Sequence, residues 1–261
     1  MGGSEVRLRL LSPPFPSKTF QCHTDVLSHT QTVDLFNTNV LGPLNLTRSI
    51  LPHMRARKAG SIVFMSSLAA WLGIAAGGPY SASKFALEGK NQIKSPNSLP
   101  WLMTHETGAV ESLQREVESF GVEVLLVVLG LFRTGILSPA KRNMSRLVKP
   151  IPEYDAIYEA LQYRLVQADG NQPGDPVQAV ERIVDVVRYE GYMAGRQKMP
   201  LRIVFGSDVM GTIRGQCQEI LDAVAEQEEH GKSTDFANEV KSPNIWIEPS
   251  ASISSGESGS T

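Results

Sequence analysis

The sequence predicts an α/β fold, a parallel sheet with helices packed on both faces. Two observations carry this expectation. Strongly apolar runs at 61–65 (SIVFM), 122–128 (VEVLLVV) and 201–205 (LRIVF) read as buried strands. Between them lie stretches whose apolar residues recur at helical spacing, and strands that alternate with helices pair in parallel.

The elements follow in chain order. Residues 1–30 are expected to be irregular, because Pro13, Pro14 and Pro16 stop any regular element. Val33, Phe36, Val40 and Leu44 stripe a helix that runs from about 31 to Arg57, where Gly60 ends it. After the strand at 61–65 comes a small-residue loop, Ser66 to Gly78, and a helix that opens at Pro79. Tyr154, Ile157, Leu161 and Leu165 mark another helix. Asp175 and Pro176 start the next, striped by Val177, Val180, Val184 and Val187. Ile213, Cys217, Ile220, Leu221 and Val224 stripe the last. The globular unit is therefore 31–228. Residues 229–261 turn polar and Ser-rich and are expected to be a disordered tail.

Composition narrows the function classes. The 261 residues hold 25 Lys plus Arg against 27 Asp plus Glu, a net charge of −2. That balance argues against a nucleic acid or an anionic membrane held by bulk electrostatics. No run of 18 apolar residues occurs, so no transmembrane segment is expected. The first residues are too short and too broken by proline for a secretory signal, and Val6 stands where a myristoylation signal wants Ser or Thr. Cys22 and Cys217 make neither a disulfide framework nor a metal site. The expectation is a soluble, cytoplasmic protein.

The chemistry lies between Asn39 and Gly89, in FNTNVLGP (36–43), SIVFMSS (61–67) and PYSASKFALEG (79–89). Tyr80 and Lys84 are four residues apart near a helix start and share one face. An ammonium beside a phenol favours the phenolate and is expected to lower its pKa from about 10. A tyrosine so tuned can pass a proton near neutral pH. Ser67 lies 13 residues before Tyr80, at the end of a strand. Ligands of parallel sheets bind at that end, so its hydroxyl is placed to bond a carbonyl or alcohol oxygen. Asn39 lies on the preceding helix.

Asn39, Ser67, Tyr80 and Lys84, in this order and spacing, resemble the short-chain dehydrogenase/reductase family over about residues 25–225. YSASKFALEG and the downstream LGLFRTGIL are most similar to the branch with acyl-dihydroxyacetone-phosphate reductase, 17β-hydroxysteroid dehydrogenase and fungal secondary-metabolism reductases. The resemblance implies a Rossmann-like sheet and an oxidoreductase that interconverts a ketone and a secondary alcohol on a hydrophobic small molecule. It implies Tyr80 as general acid or base, Lys84 as the group that tunes Tyr80 and holds the nicotinamide ribose, Ser67 as the orienter of the substrate oxygen, and Asn39 as the holder of a relay water. Gly130 and Thr134, in VLGLFRT, match the segment beside the nicotinamide, with Leu129 where the family has proline. NADP is the preferred cofactor by branch and NAD the alternative. The family's helix pair, about 31–57 and 80–120 here, often forms a dimer interface, so a homo-oligomer is expected.

The sequence departs from the family twice. No GxxxGxG occurs, and with it the strand, turn and helix N-terminus that receive a dinucleotide pyrophosphate are missing. The sheet is therefore expected to lack its amino-terminal βαβ half. A second reading follows from this, a catalytically inactive truncated remnant acting as a binding or assembly protein. The other departure is residues 90–108, which interrupt the run from FALEG to AVESL. With these removed, Leu87, Val110, Leu113, Val117 and Phe120 form one continuous helical stripe. Gly89-Lys90 can be encoded with a GTAAG donor and Thr107-Gly108 with an AG acceptor, so the segment reads as a retained short intron of a fungal gene. The alternative is a true surface loop.

Overall fold

The computed structural model describes residues 9–11, 28–88, 108–138 and 151–235, with the backbone alone for 9–11. Among the described residues four strands form one sheet: β1 (Arg9–Leu11), β2 (Gly60–Met65), β3 (Val122–Leu129) and β4 (Arg202–Phe205). They lie in the order β1-β2-β3-β4, and every pairing is parallel.

Strand side chains alternate between the two faces, which gives the fold its two cores. Ile62, Phe64, Val122, Val124 and Leu126 pack on one face with Val40, Met54, Leu87, Val110, Leu113 and Val117. These last six come from the segment around α2 (Gly42–Arg57), α3 (Gly78–Glu88) and α4 (Ala109–Val117). Val63, Leu125 and Val127 pack on the other face with Ile183, Val186 and Val187 of the helix Pro176–Arg188. Helices thus cover both faces, as the alternation of strands and helices predicts.

Strand β1 corrects the expectation that residues 1–30 are irregular. Arg9, Leu10 and Leu11 pair with Ile62, Val63 and Phe64. The backbone donors and acceptors along the β2 edge need partners, and a short extended segment ahead of the prolines supplies them.

The helix expected over 31–57 is three pieces. Helix α1 (His29–Phe36) is capped by Ser28, whose side chain accepts from Gln31 N while the Gln31 side chain bonds back. A π-helical stretch, Asn37–Leu41, follows, and then α2. The Gly42 N–H reaches back to Asn37 O, and a Cβ on Gly42 would sit 2.9 Å from that oxygen. A wider turn of this kind swings its residues relative to the flanking helices. It buries Asn39.

Helix α3 ends at Glu88 and α4 starts at Ala109; the intervening 90–108 segment lies outside the described residues apart from Gly108. Leu87, Val110, Leu113 and Val117 nevertheless share one core, as the spliced stripe predicts. Phe120 does not; it is exposed, with the Arg55 guanidinium 5.8 Å from its ring centroid.

Helix α5 (Asp155–Ala168) buries none of its residues. Helix α6 (Pro176–Arg188) starts where predicted, Asp175 accepting from the N–H groups of Val177 and Gln178. Its buried face is Ala179, Ile183, Val186 and Val187, while Val177 and Val180 are exposed. Of the expected stripe, Val187 packs on the sheet and Val184 is half-buried, so only its first two valines turn away. Helix α7 (Ser207–Lys232) runs past 229, carried there by the good helix formers AEQEE at 225–229, so the expected tail begins inside a helix, and 236–261 lie outside the described residues. No helix among the described residues is long and apolar enough to cross a membrane.

Candidate functional site

The site forms where β2 ends. Ser66 N donates to Val127 O at 2.7 Å, which extends the ladder by one bond. Ser67 then adopts an extended backbone, φ −157° and ψ 157°, and caps the short helical turn Leu68–Ala70 by accepting from Ala69 N at 3.2 Å. Helix α3 begins after the loop and buries Tyr80, Ser81, Ser83, Lys84, Leu87 and Glu88.

Tyr80 and Lys84 are 4% and 3% exposed, so this helix presents two ionisable side chains to the interior. The Lys84 ammonium donates to Met65 O at 3.0 Å and lies 5.9 Å from the centroid of the Tyr80 ring. The Tyr80 hydroxyl shares a hydrogen bond with Ser67. Asn39 Nδ2 donates to Ser83 Oγ at 3.0 Å, and Ser83 Oγ donates to Tyr80 O at 2.7 Å. The π-helical stretch and α3 are therefore joined through buried polar atoms, and the structure brings Asn39, Ser67, Tyr80 and Lys84 together. The spacing of Asn39 gives no hint of Ser83, the residue that receives its amide.

The Tyr80 titration differs from expectation. Burial pushes the phenol up to about 12, and the hydrogen bond from Ser67 opposes this only in part. Burial likewise pushes Lys84 down to about 8, with the charge of Glu88 holding it up. Removing both groups from water penalises each charged form more than their proximity rewards it. Tyr80 is consequently a neutral phenol at neutral pH, a proton donor rather than a phenolate.

Gly130 and Thr134 lie on the loop after β3, at the same end of the sheet. Gly130 N donates to Phe205 O at 2.9 Å, and Leu131 N donates to Asp208 Oδ2 at 2.7 Å. A Cβ on Gly130 would lie 2.1 Å from Asp208 Oδ1, so this close approach requires glycine. Thr134 is exposed and accepts from Ile136 N at 3.4 Å. Arg133 is exposed, and its Nε and Nη2 donate to Gln172 O at 3.2 and 3.1 Å. Tyr154 and Tyr158 are half-buried.

Glu88, absent from the sequence-based candidates, is 0% exposed. It accepts from the Ser66 hydroxyl and, at 2.6 Å, from the Trp71 indole N–H, and Arg202 Nε lies 3.5 Å away. Its position one turn beyond Lys84 on the Tyr80 face was the signal that could have found it.

A family model for short chain dehydrogenases matches residues 19–92. The chain is 30% identical over 148 residues to YusZ, an uncharacterized oxidoreductase of Bacillus subtilis, covering 57% of this chain and 46% of YusZ. It is 36% identical over 118 residues to a 3-ketodihydrosphingosine reductase of Bacteroides thetaiotaomicron, covering 45% of this chain and 36% of that one. Among solved structures, a short-chain dehydrogenase from Streptomyces avermitilis matches with a TM-score of 0.62 at 30% identity, covering 84% of this chain and 69% of that chain. The chain spans half or less of the length of these two curated relatives.

Proposed function

The chain belongs to the short-chain dehydrogenase family, and from that premise we propose that it is an NAD(P)-dependent oxidoreductase that interconverts a ketone and a secondary alcohol on a hydrophobic small molecule. The observation that carries this reading is the buried Tyr80 hydroxyl, hydrogen-bonded to Ser67, with the Lys84 ammonium 5.9 Å from its ring centroid.

Each side chain has a task that its surroundings support. Tyr80, protonated at neutral pH, gives its hydroxyl proton to the oxygen of a carbonyl being reduced. Ser67 keeps the substrate oxygen in line with that proton, since its own hydroxyl already meets Tyr80. Lys84 stabilises the phenolate left behind, because its ammonium is fixed nearby by Met65 O. Asn39 holds the helix turn under Tyr80 through Ser83. The same groups run in reverse for alcohol oxidation, with Tyr80 taking the proton.

The residues present fit the nicotinamide end of a dinucleotide. Lys84 and Tyr80 offer buried donors for the ribose hydroxyls, and Gly130 and Thr134 line the neighbouring strand end. When bound, the nicotinamide supplies or accepts the hydride. No GxxxGxG turn for the pyrophosphate occurs in the sequence. The second reading is a binding or assembly protein that retains the tetrad without turnover. A hydrophobic, lipid-like substrate is supported by the ketodihydrosphingosine reductase likeness.

The test is reduction of a panel of hydrophobic ketones with NADPH and with NADH. The expected outcome is turnover by the chain and loss of turnover in Tyr80→Phe, with cofactor binding retained. Turnover that survives Tyr80→Phe refutes the role of Tyr80. A chain that binds neither cofactor favours the second reading.

A further inference from the structure

We infer that Glu88 is a positioning residue for Ser67, Tyr80 and Lys84: it ties the loop that carries Ser67 to the helix that carries the other two, and sets a negative charge one helical turn from the Lys84 ammonium. The inference rests on the catalytic reading of those three residues.

Tyr80, Lys84 and Glu88 follow one another at four-residue steps along α3 and so share a face. A carboxyl group buried to 0% exposure persists only when other groups bond to it. Those groups come from both sides of Ser67. Ser66, the residue before it, donates its hydroxyl to Glu88 Oε2. Trp71, just beyond the Leu68–Ala70 turn that Ser67 caps, donates its indole N–H to Oε1 at 2.6 Å. One carboxyl group therefore grips both ends of the segment on which Ser67 sits. The Ser67 hydroxyl meets Tyr80 only if that segment stays at a fixed height against α3.

Among the described residues, charged groups reach toward Glu88 from three elements. On its own helix Glu88 faces Lys84, whose proton its charge retains. From β4, Arg202 Nε lies 3.5 Å from Glu88 Oε1. From α4, Glu111 stands beyond the same guanidinium at 3.5 Å and pairs in turn with Arg115 at 3.2 Å. Burial raises the Glu88 carboxyl to about 7, while Ser66, Trp71 and Arg202 hold it down. Glu88 can therefore change charge near neutral pH, and Lys84 and Trp71 both report it.

Nuclear magnetic resonance of the full chain, labelled at tryptophan indole nitrogen and lysine Cε, tests this without relying on turnover. Trp71→Phe and Lys84→Arg assign the two signals. In the wild type the Trp71 and Lys84 signals should move together as Glu88 takes up its proton. In Glu88→Gln the Trp71 indole signal should shift upfield, and the Lys84 midpoint should fall by about one pH unit. Glu88→Asp should restore part of both. An unchanged Lys84 midpoint in Glu88→Gln, or wild-type signals that titrate independently, would overturn the inference. If Glu88→Gln fails to fold, the wild-type titration decides alone. A chain that shows this coupling yet neither binds cofactor nor turns over would refute the catalytic reading and leave the positioning geometry standing.

Discussion

The Lys84 ammonium donates at 3.0 Å to the Met65 carbonyl and lies 5.9 Å from the centre of the Tyr80 ring, so the strand end and the helix meet through one buried charge. That charge costs stability. Lys84 gives up its proton at about 8 in the folded chain and near 10.5 when unfolded. Between those values the unfolded chain binds more protons, so folding stability rises with pH across the window. The penalty is fully present below about pH 8.

Lys84→Met should therefore fold at least as stably at pH 7, and it should lose the rise between pH 8 and 10.5, a difference of about 3 kcal/mol. Urea unfolding at pH 7, 8, 9 and 10 measures it. A rise that persists in the variant would show that Lys84 is not its source. The variant should also lose turnover, since the phenolate of Tyr80 would have no neighbouring cation.

Asn39→Ala should destabilise the fold by about 1–3 kcal/mol, because it removes the donor to a buried Ser83 hydroxyl. The loss should appear in urea unfolding with an unchanged slope, the mark of a local loss of contacts. An unfolding midpoint equal to that of the wild type would mean that the Asn39–Ser83 bond contributes nothing.

Gly130→Ala should cost about 1–3 kcal/mol, since its Cβ would meet Asp208 Oδ1 at 2.1 Å. Combining it with Asp208→Ala should cost less than the sum of the two single changes, because the second removes the atom the first collides with. A thermodynamic cycle built from thermal melts reads the coupling. Strict additivity would reject the steric account.

Deleting residues 90–108 should join α3 to α4 through Gly89 and place Leu87 and Val110 four residues apart on one face. Closing a 19-residue loop carries an entropic cost of about 2–3 kcal/mol, which the deletion removes. The deletion variant should melt higher than the full chain. A lower melting temperature would indicate that the segment is an integral loop, and transcript sequencing across codons 89–108 would settle its origin independently.

By itself, the sequence determined the framework and the identity of the candidate tetrad. Strong apolar runs located β2, β3 and β4 to within a residue, because a strand buried on both faces has no room for a polar side chain at most positions. Fixed spacing along a helix was enough to put Tyr80 and Lys84 on one face, and the strand before Ser67 put that serine at the ligand-binding end. These are local relations, and periodicity records them directly. What the tertiary structure decided was the environment. The π-helical stretch under Asn39, its bond to Ser83 and the pairing of β1 with β2 join residues far apart in the chain, so no local pattern encodes them. The protonation of Tyr80 was decided in the same way. Spacing shows that an ammonium is near, but only the packing of α3 against β2 and the loop after it shows how completely both groups leave water, and burial outweighs their attraction. Glu88 belongs with these: its place in the helix was visible, while the three side chains that converge on it come from the loop after β2 and from β4.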